Sequence, residues 1–283
     1  DSYNSYYHCF KEMKIFKDKQ SLQKEIFQNN GISFIPTMGG LHKGHISLIK
    51  KSKKYKFKTL VSIYVNPKQF DNKQEFSRYP KNLKKDIKIL KKFKVDYLYT
   101  PSFKDIYGFK TKNKIYLDKF SKQLCGKFRK SHFKGVVQVM NRLIEIVKPK
   151  YIFMGKKDYQ QLFLIKKLIS KRNINSRIID CDIIRERNGV AASTRNLKLT
   201  KNEFKIASKV YHYIIYIKKK LRTKKIFISK KEIEKKINDL GVKNINYIEF
   251  RDLKDLKKRN KITSTTNIFI AYYLRNIRLI DNI

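Results

Sequence analysis

Apolar positions along the chain cluster in two recurring ways. Short unbroken runs, GISFIP (31–36), KTLVSIYVNP (58–67), VDYLYTP (95–101) and PKYIFMG (149–155), are too brief for helices and read as buried parallel strands. Between them, apolar residues recur at helical spacing. LKKDIKILKKFK sets Leu83, Ile87, Leu90 and, less cleanly, Phe93 on one face. FKGVVQVMNRLIEIVK does the same with Val136, Val139, Met140, Leu143, Ile146 and Val147. Strand and helix in alternation predict an α/β fold, a Rossmann-like doubly wound parallel sheet.

After about residue 182 the pattern changes. Thr200 with Glu203, and Ser229 with Glu232, match the S/T-x-x-E capping box, so helices are expected to start there. NINYIEFRDL and NIFIAYYLRNIRLID then read as strands of a smaller α+β domain. No stretch rich in Pro, Gly or Ser separates the halves. The expected organisation is a sheet domain over residues 1–182 and an α+β C-terminal lid domain over 183–283, packed directly with a cleft between them. Met13 opens MKIFKDKQ, a natural start, so residues 1–12 read as an extension, a processing remnant or an artefact.

Composition narrows the class. At 283 residues, with 41% hydrophobic and 13% aromatic side chains, the chain can bury a large core. No apolar run approaches the roughly 18 residues that span a bilayer, and no secretory signal opens the chain, so a soluble cytoplasmic protein without membrane partners is expected. Cys9, Cys125 and Cys181 are odd in number and widely spaced, which fits a reducing compartment. The formal charge of +45 invites a nucleic-acid reading. Only 13 of the 68 basic residues are Arg, however, and Lys recurs with Asn and Ile throughout. A phosphate-reading stripe would be local and richer in Arg. The charge is a background, and no specific nucleic-acid partner is expected.

One stretch carries chemistry: IPTMGGLHKGHISLIKKS, residues 35–52. It follows the first run and leads into a helix expected to begin near Gly44. Gly39 and Gly40 let backbone approach a ligand, because no Cβ intervenes. A helix N-terminus offers free N–H groups and partial positive charge to a phosphate, and His42 and His45 add imidazole donors. The Walker pattern is absent. A metal pair completed by Cys125 or His132 lacks ligand spacing, so no metal-ligating set is assigned. His42-Lys43-Gly44-His45 is the HxGH signature of the nucleotidylyl-transfer superfamily.

The signature has company. PTMGGLHKGH, VSIYVNPKQF, HFKGV, GKKDYQQL and STRN occur in that order, and RLIDN lies near the end. From about Met13 onward the chain closely resembles the pantothenate synthetase (pantoate–β-alanine ligase) family. The resemblance implies a ligase that converts pantoate and ATP to pantoyl adenylate and pyrophosphate, after which β-alanine displaces AMP. It implies ATP with Mg²⁺, and a homodimer. It places the ATP site on Met38, Gly39, Gly40, Leu41, His42, Lys43, Gly44 and His45, on Gly155, Lys156, Lys157 and Asp158, and on Ile184, Ala192, Ser193, Thr194 and Arg195. Within that set His45, His42 and Lys157 carry the catalytic expectation, and Ile184 a backbone contact to adenine.

For the substrates pantoate and β-alanine the resemblance carries over Gln69 and Gln161. Neutral amides can hold hydroxyls and a carboxylate without blunting the nucleophile, as a Lys would. Alone, Gln69 would read as a turn residue and Gln161 as a surface position. Arg129 and His132, in RKSHFKGV, are further candidates near the substrate. The chain departs from the family at Lys156, usually Glu, at Thr194, usually Ser, and at Gly40 and Lys43. Two other readings remain: an HxGH enzyme acting on a phosphorylated acceptor, disfavoured by the neutral Gln69 and Gln161, and a basic nucleic-acid binder, which leaves the motifs unexplained.

Overall fold

The computed structural model describes residues 12–223 and 228–283. Nearly all of the expected extension, with Cys9, lies outside them. In chain order the first part runs β1 (Lys14–Phe16), α1 (Lys19–Ile26), β2 (Ile32–Thr37), α2 (Lys43–Ser52), β3 (Lys58–Ile63), α3 (Lys73–Ser77), α4 (Leu83–Lys92), β4 (Tyr97–Tyr99) and α5 (Phe103–Tyr107). It continues through α6 (Cys125–Phe128), α7 (His132–Val147), β5 (Tyr151–Gly155), α8 (Tyr159–Lys171) and β6 (Arg177–Cys181). The rest is α9 (Lys201–Arg222), α10 (Lys230–Asp239), β7 (Asn244–Asp252), β8 (Thr266–Leu274) and β9 (Ile277–Asn282).

Six strands form one parallel sheet in the order β1-β4-β3-β2-β5-β6. All four expected strands lie in it. β1 and β6 take its edges; neither has a run of buried apolar residues, which is why the hydrophobic pattern did not signal them. From β2 the chain winds one way through β3 and β4 and the other way through β5 and β6. The switch point therefore falls between β2 and β5, whose carboxyl ends carry PTMGGLHKGH and GKKDYQQL. In such sheets the crevice for ligands opens at that point.

Helices cover both faces, as expected for a buried parallel sheet. One layer gathers Phe34, Leu60 and Ile152 with the α7 residues Val136, Met140 and Leu143, and extends to Tyr247 and Phe269 of the second sheet. The opposite face packs Ile35, Val61 and Phe153 against Leu48, Ile49 and Leu90. Helix α4 departs from its expected face: Leu83 is exposed, while Asp86 is 2% exposed. A carboxylate, not a leucine, turns inward there.

β7, β8 and β9 form an antiparallel sheet, with α9 and α10 packed on it through Val210, Ile214, Ile233 and Ile237. Thr200 and Ser229 cap these two helices, each in a capping box with Glu203 or Glu232. Among the described residues no helix is long and apolar enough to cross a membrane.

Candidate active site

Following β2, the chain turns at Gly39 (φ +76°) and Gly40 (φ +62°), a left-handed pair that glycine adopts at little cost. Space demands glycine as well: a Cβ on Gly40 would lie 2.6 Å from Thr194 Cγ2. Asp86 pins the turn from below, its two oxygens accepting the Gly40 and Leu41 N–H groups at 2.9 and 2.8 Å. Thr194 closes it from above, its hydroxyl donating to the Gly40 carbonyl at 3.0 Å.

The turn delivers two adjacent imidazoles to the start of α2, with ring centroids 4.1 Å apart and planes tilted by 51°. His42 Nδ1 accepts the Gly44 N–H at 3.1 Å, and His45 Nδ1 accepts the His42 N–H at 3.3 Å. A backbone N–H only donates, so both Nδ1 atoms are unprotonated and each neutral ring carries its proton on Nε2. Burial, reinforced by Lys157, pushes His42 down to about 4, and burial, reinforced by His42, pushes His45 down to about 3. At neutral pH both are uncharged Nε2–H donors.

This corrects one expectation. The amides of Gly40, Leu41, His42 and Gly44 all have partners inside the protein, so they are not a set of free backbone donors. The imidazole Nε2–H groups stand in that place.

After β5, the turn Lys156–Asp158 brings Lys157 and Asp158 to the same crevice. Burial works against the Asp158 carboxylate, but Lys157 and Arg195 outweigh it and hold it below the usual carboxylate range. Asn282, from RLIDN, fixes this turn by donating to the Lys156 and Lys157 carbonyls at 2.8 and 3.0 Å.

These elements line a cleft of ≈ 280 Å³. Met38, His42, Gly44, His45, Gly155, Lys157, Asp158, Ile184, Ala192, Ser193, Thr194 and Arg195 face it, as do Gln69, Gln161, Arg129 and His132. The other five residues expected at ATP do not line it. Gly39 and Gly40 shape the turn, and Leu41 packs into the core beside Leu48 and Ile49. Lys43 pairs with Glu186 at 2.7 Å, and Lys156 with Asp182 at 2.6 Å, so neither extra cation points at the crevice.

Gln69 is buried. Its Nε2 lies 2.9 Å from Met38 Sδ, and its Oε1 accepts from Asn66, which is itself held by Tyr107 and by the Gly135 carbonyl. His132 Nδ1 is 2.8 Å from the Gln69 carbonyl and so donates to it. Burial, then Arg129, pushes this third imidazole down to about 4. The side chain of Gln161, in the first turn of α8, makes no hydrogen bond among the described residues and faces the cleft. Its neighbour Gln160 is structural, tying Phe120, Gln123 and Cys125 together.

Comparison with known proteins agrees with this fold. A family profile for pantoate–β-alanine ligase matches residues 10–283. The chain belongs to the pantoate–β-alanine ligase family. It is 39% identical over 257 residues to the pantothenate synthetase of Flavobacterium psychrophilum, covering 89% of this chain and 91% of that one. The pantothenate synthetase of Francisella tularensis subsp. novicida is 38% identical over 94% of each chain. Among solved structures, the Francisella tularensis ligase complexed with β,γ ATP and β-alanine superposes with a TM-score of 0.80 at 37% identity, covering 96% of this chain and 97% of that one. The pantothenate synthetase of Thermus thermophilus gives 0.88 at 26% identity over 96% and 99%. The family fold is thus the observed pair of sheets, and the chain is a ligase by descent.

Residues that the motifs did not single out complete the site. Asp86 is the single acid among five lysines in α4, one turn before Leu90, which was a readable signal for a buried carboxylate. Glu75 joins Arg129 (2.8 Å) to Arg195 (3.2 Å) across the cleft mouth, a long-range pairing without local pattern.

Proposed function

We propose that this ligase condenses pantoate with β-alanine through a pantoyl adenylate, releasing pyrophosphate and then AMP. In the first step a pantoate carboxylate oxygen attacks the α-phosphorus of ATP, forming the P–O bond as the bond to pyrophosphate breaks. In the second, the β-alanine amine attacks the acyl carbon, forms the amide, loses a proton and expels AMP. No protein nucleophile is required: positioning and fixed donors do the work.

The carrying observation is the pair of locked, neutral imidazoles beside Lys157 in the crevice that also holds the amides of Gln69 and Gln161. We assign the Nε2–H groups of His42 and His45, with Lys157 and Arg195, to the phosphates. Negative charge grows on the α-phosphate oxygens and the leaving group as the P–O bond breaks. Neutral donors already aimed there stabilise it without reorganising. Met38, Gly44, Gly155, Ser193 and Thr194 shape the nucleotide side, and Ile184 with Ala192 the adenine side. Gln69 and Gln161 hold pantoate. His132 and Arg129 set the Gln69 backbone rather than the substrate.

Asp158, ionised and facing the cleft, suits Mg²⁺, which takes one or two carboxylates together with nucleotide phosphates. When bound, Mg²⁺ would neutralise phosphate charge. We further propose the division of the chain at 182/183, with residues 183–283 as the lid, a homodimeric assembly, and action in the cytoplasm.

ATP–pyrophosphate exchange tests the reading. Exchange should require pantoate and Mg²⁺, and His45→Ala should reduce it by orders of magnitude while far-UV circular dichroism stays unchanged. Pantoate-independent exchange, or near-normal exchange by that variant, would refute it.

A further inference from the structure

Two arginines are buried among the described residues, and they are treated differently by the fold. Arg251 is neutralised by Glu249 at 2.5 Å. Arg278, on β9, is 8% exposed and has no carboxylate within ion-pair distance among the described residues. Its Nε donates to Asn246 Oδ1 at 2.8 Å, and both terminal nitrogens lie 3.5 Å from Cys125 Sγ. Cys125 is in turn 3.1 Å from the Tyr247 hydroxyl. A guanidinium removed from water without a counter-charge is costly. This one also lines the catalytic cleft, in the lobe where α6 meets the second sheet.

The other cations of the cleft have occupations. Arg129 and Arg195 share Glu75, Arg129 also meets Asp71, and Lys157 stands beside the imidazoles and Asp158. The chemistry meanwhile leaves one anion with only neutral amides, and no charged group, to receive it. Adenylation converts the pantoate carboxylate to a neutral acyl group, so the remaining organic anion to be recognised is the carboxylate of the incoming amino acid. An anchor there would seat the amine for attack and reject amines without an acid group.

We propose that Arg278 is the carboxylate anchor for the amino-acid substrate of the second half-reaction. This rests on the ligase reading above and adds a residue to it. The edge formed by the two terminal nitrogens, which here faces only the weakly accepting Cys125 Sγ at 3.5 Å, exchanges that contact for the carboxylate. Tyr247 lines the same lobe, and the three-carbon spacing of β-alanine carries its amine toward the adenylate.

The test separates the half-reactions. Arg278→Met should raise the KM for β-alanine about 10- to 100-fold, the effect of losing a hydrogen bond to a charged group. Pantoate-dependent ATP–pyrophosphate exchange, which needs no amine, should stay within about threefold of wild type. Propylamine, which has the amine but no carboxylate, should be acylated equally by both proteins, so the preference for β-alanine collapses in the variant. Arg278→Lys, which keeps the charge but loses the fork, should fall between. An unchanged KM and preference in Arg278→Met overturns the proposal, as does equal loss with both amines. Loss of exchange in both variants also overturns it, because it places Arg278 in the fold or the first step. Cys125→Ser should shift the KM less than threefold; the full Arg278→Met effect there would reassign the guanidinium to the thiol and overturn the proposal. Absence of pantoate-dependent exchange in the wild type would instead sink the ligase reading itself.

Discussion

Asp86→Asn probes how the Gly39–Gly40 turn is held. The side chain keeps its volume, but one of two acceptors becomes an NH₂ donor facing a backbone N–H. In the native turn both oxygens are engaged, at 2.9 Å to Gly40 and 2.8 Å to Leu41, and at 2% exposure water cannot replace either bond. A buried hydrogen bond to a charged group contributes about 1.5–3 kcal/mol, and the second weakens to a neutral bond of about 1 kcal/mol. The net destabilisation should be about 2–4 kcal/mol. Urea unfolding followed by far-UV circular dichroism measures it. Exchange should slow by a larger factor than any change in the KM for pantoate, because the turn delivers His42 and His45 rather than Gln69 or Gln161. Destabilisation below about 0.5 kcal/mol with normal exchange would refute the idea that this carboxylate sets the turn.

Other outcomes follow from the same geometry. His42, His45 and His132 are held neutral, at about 4, 3 and 4 against an ordinary value of 6.5. The unfolded chain therefore binds more protons in this window. Their contribution to stability is complete above pH 6.5 and is lost as pH falls toward 4, which urea titrations across that range would reveal. If the imidazoles act as the proposed neutral donors, exchange should be flat from pH 6.5 to 8; a fall with an apparent pKa near 6.5 would indicate an imidazolium instead. Gly40→Ala meets both a left-handed backbone and Thr194 at 2.6 Å, and should lose about 2 kcal/mol in the same unfolding assay. Gln161→Leu should raise the KM for pantoate about tenfold in the exchange assay while leaving that for ATP within about twofold.

Much of this was legible in the chain itself. Buried strands such as β2 and β5 announced themselves because both faces are covered, so apolar residues run without interruption. The capping boxes at Thr200 and Ser229 were readable because the signal is local, a hydroxyl and a carboxylate three residues apart. Edge strands β1 and β6 were not, since half-exposed backbone pairing leaves no apolar run. In α4, periodicity pointed to Leu83, but tertiary structure turned Asp86 inward because the Gly40 and Leu41 amides needed acceptors. The motif HxGH suggested free helix-terminal amides, but the His42 and Gly44 amides are taken by the His45 and His42 rings, a pairing that is a property of the folded turn. Arg278 was visible only as part of RLIDN, since the lack of a carboxylate partner is a property of packing.

The most direct measurement is a crystal structure with a non-hydrolysable ATP analogue and pantoate bound. The account requires the α-phosphate within hydrogen-bond reach of the His42 and His45 Nε2 atoms, and the pantoate carboxylate held by Gln69 and Gln161. A nucleotide seated elsewhere, or those two amides turned away from the acid, would contradict it.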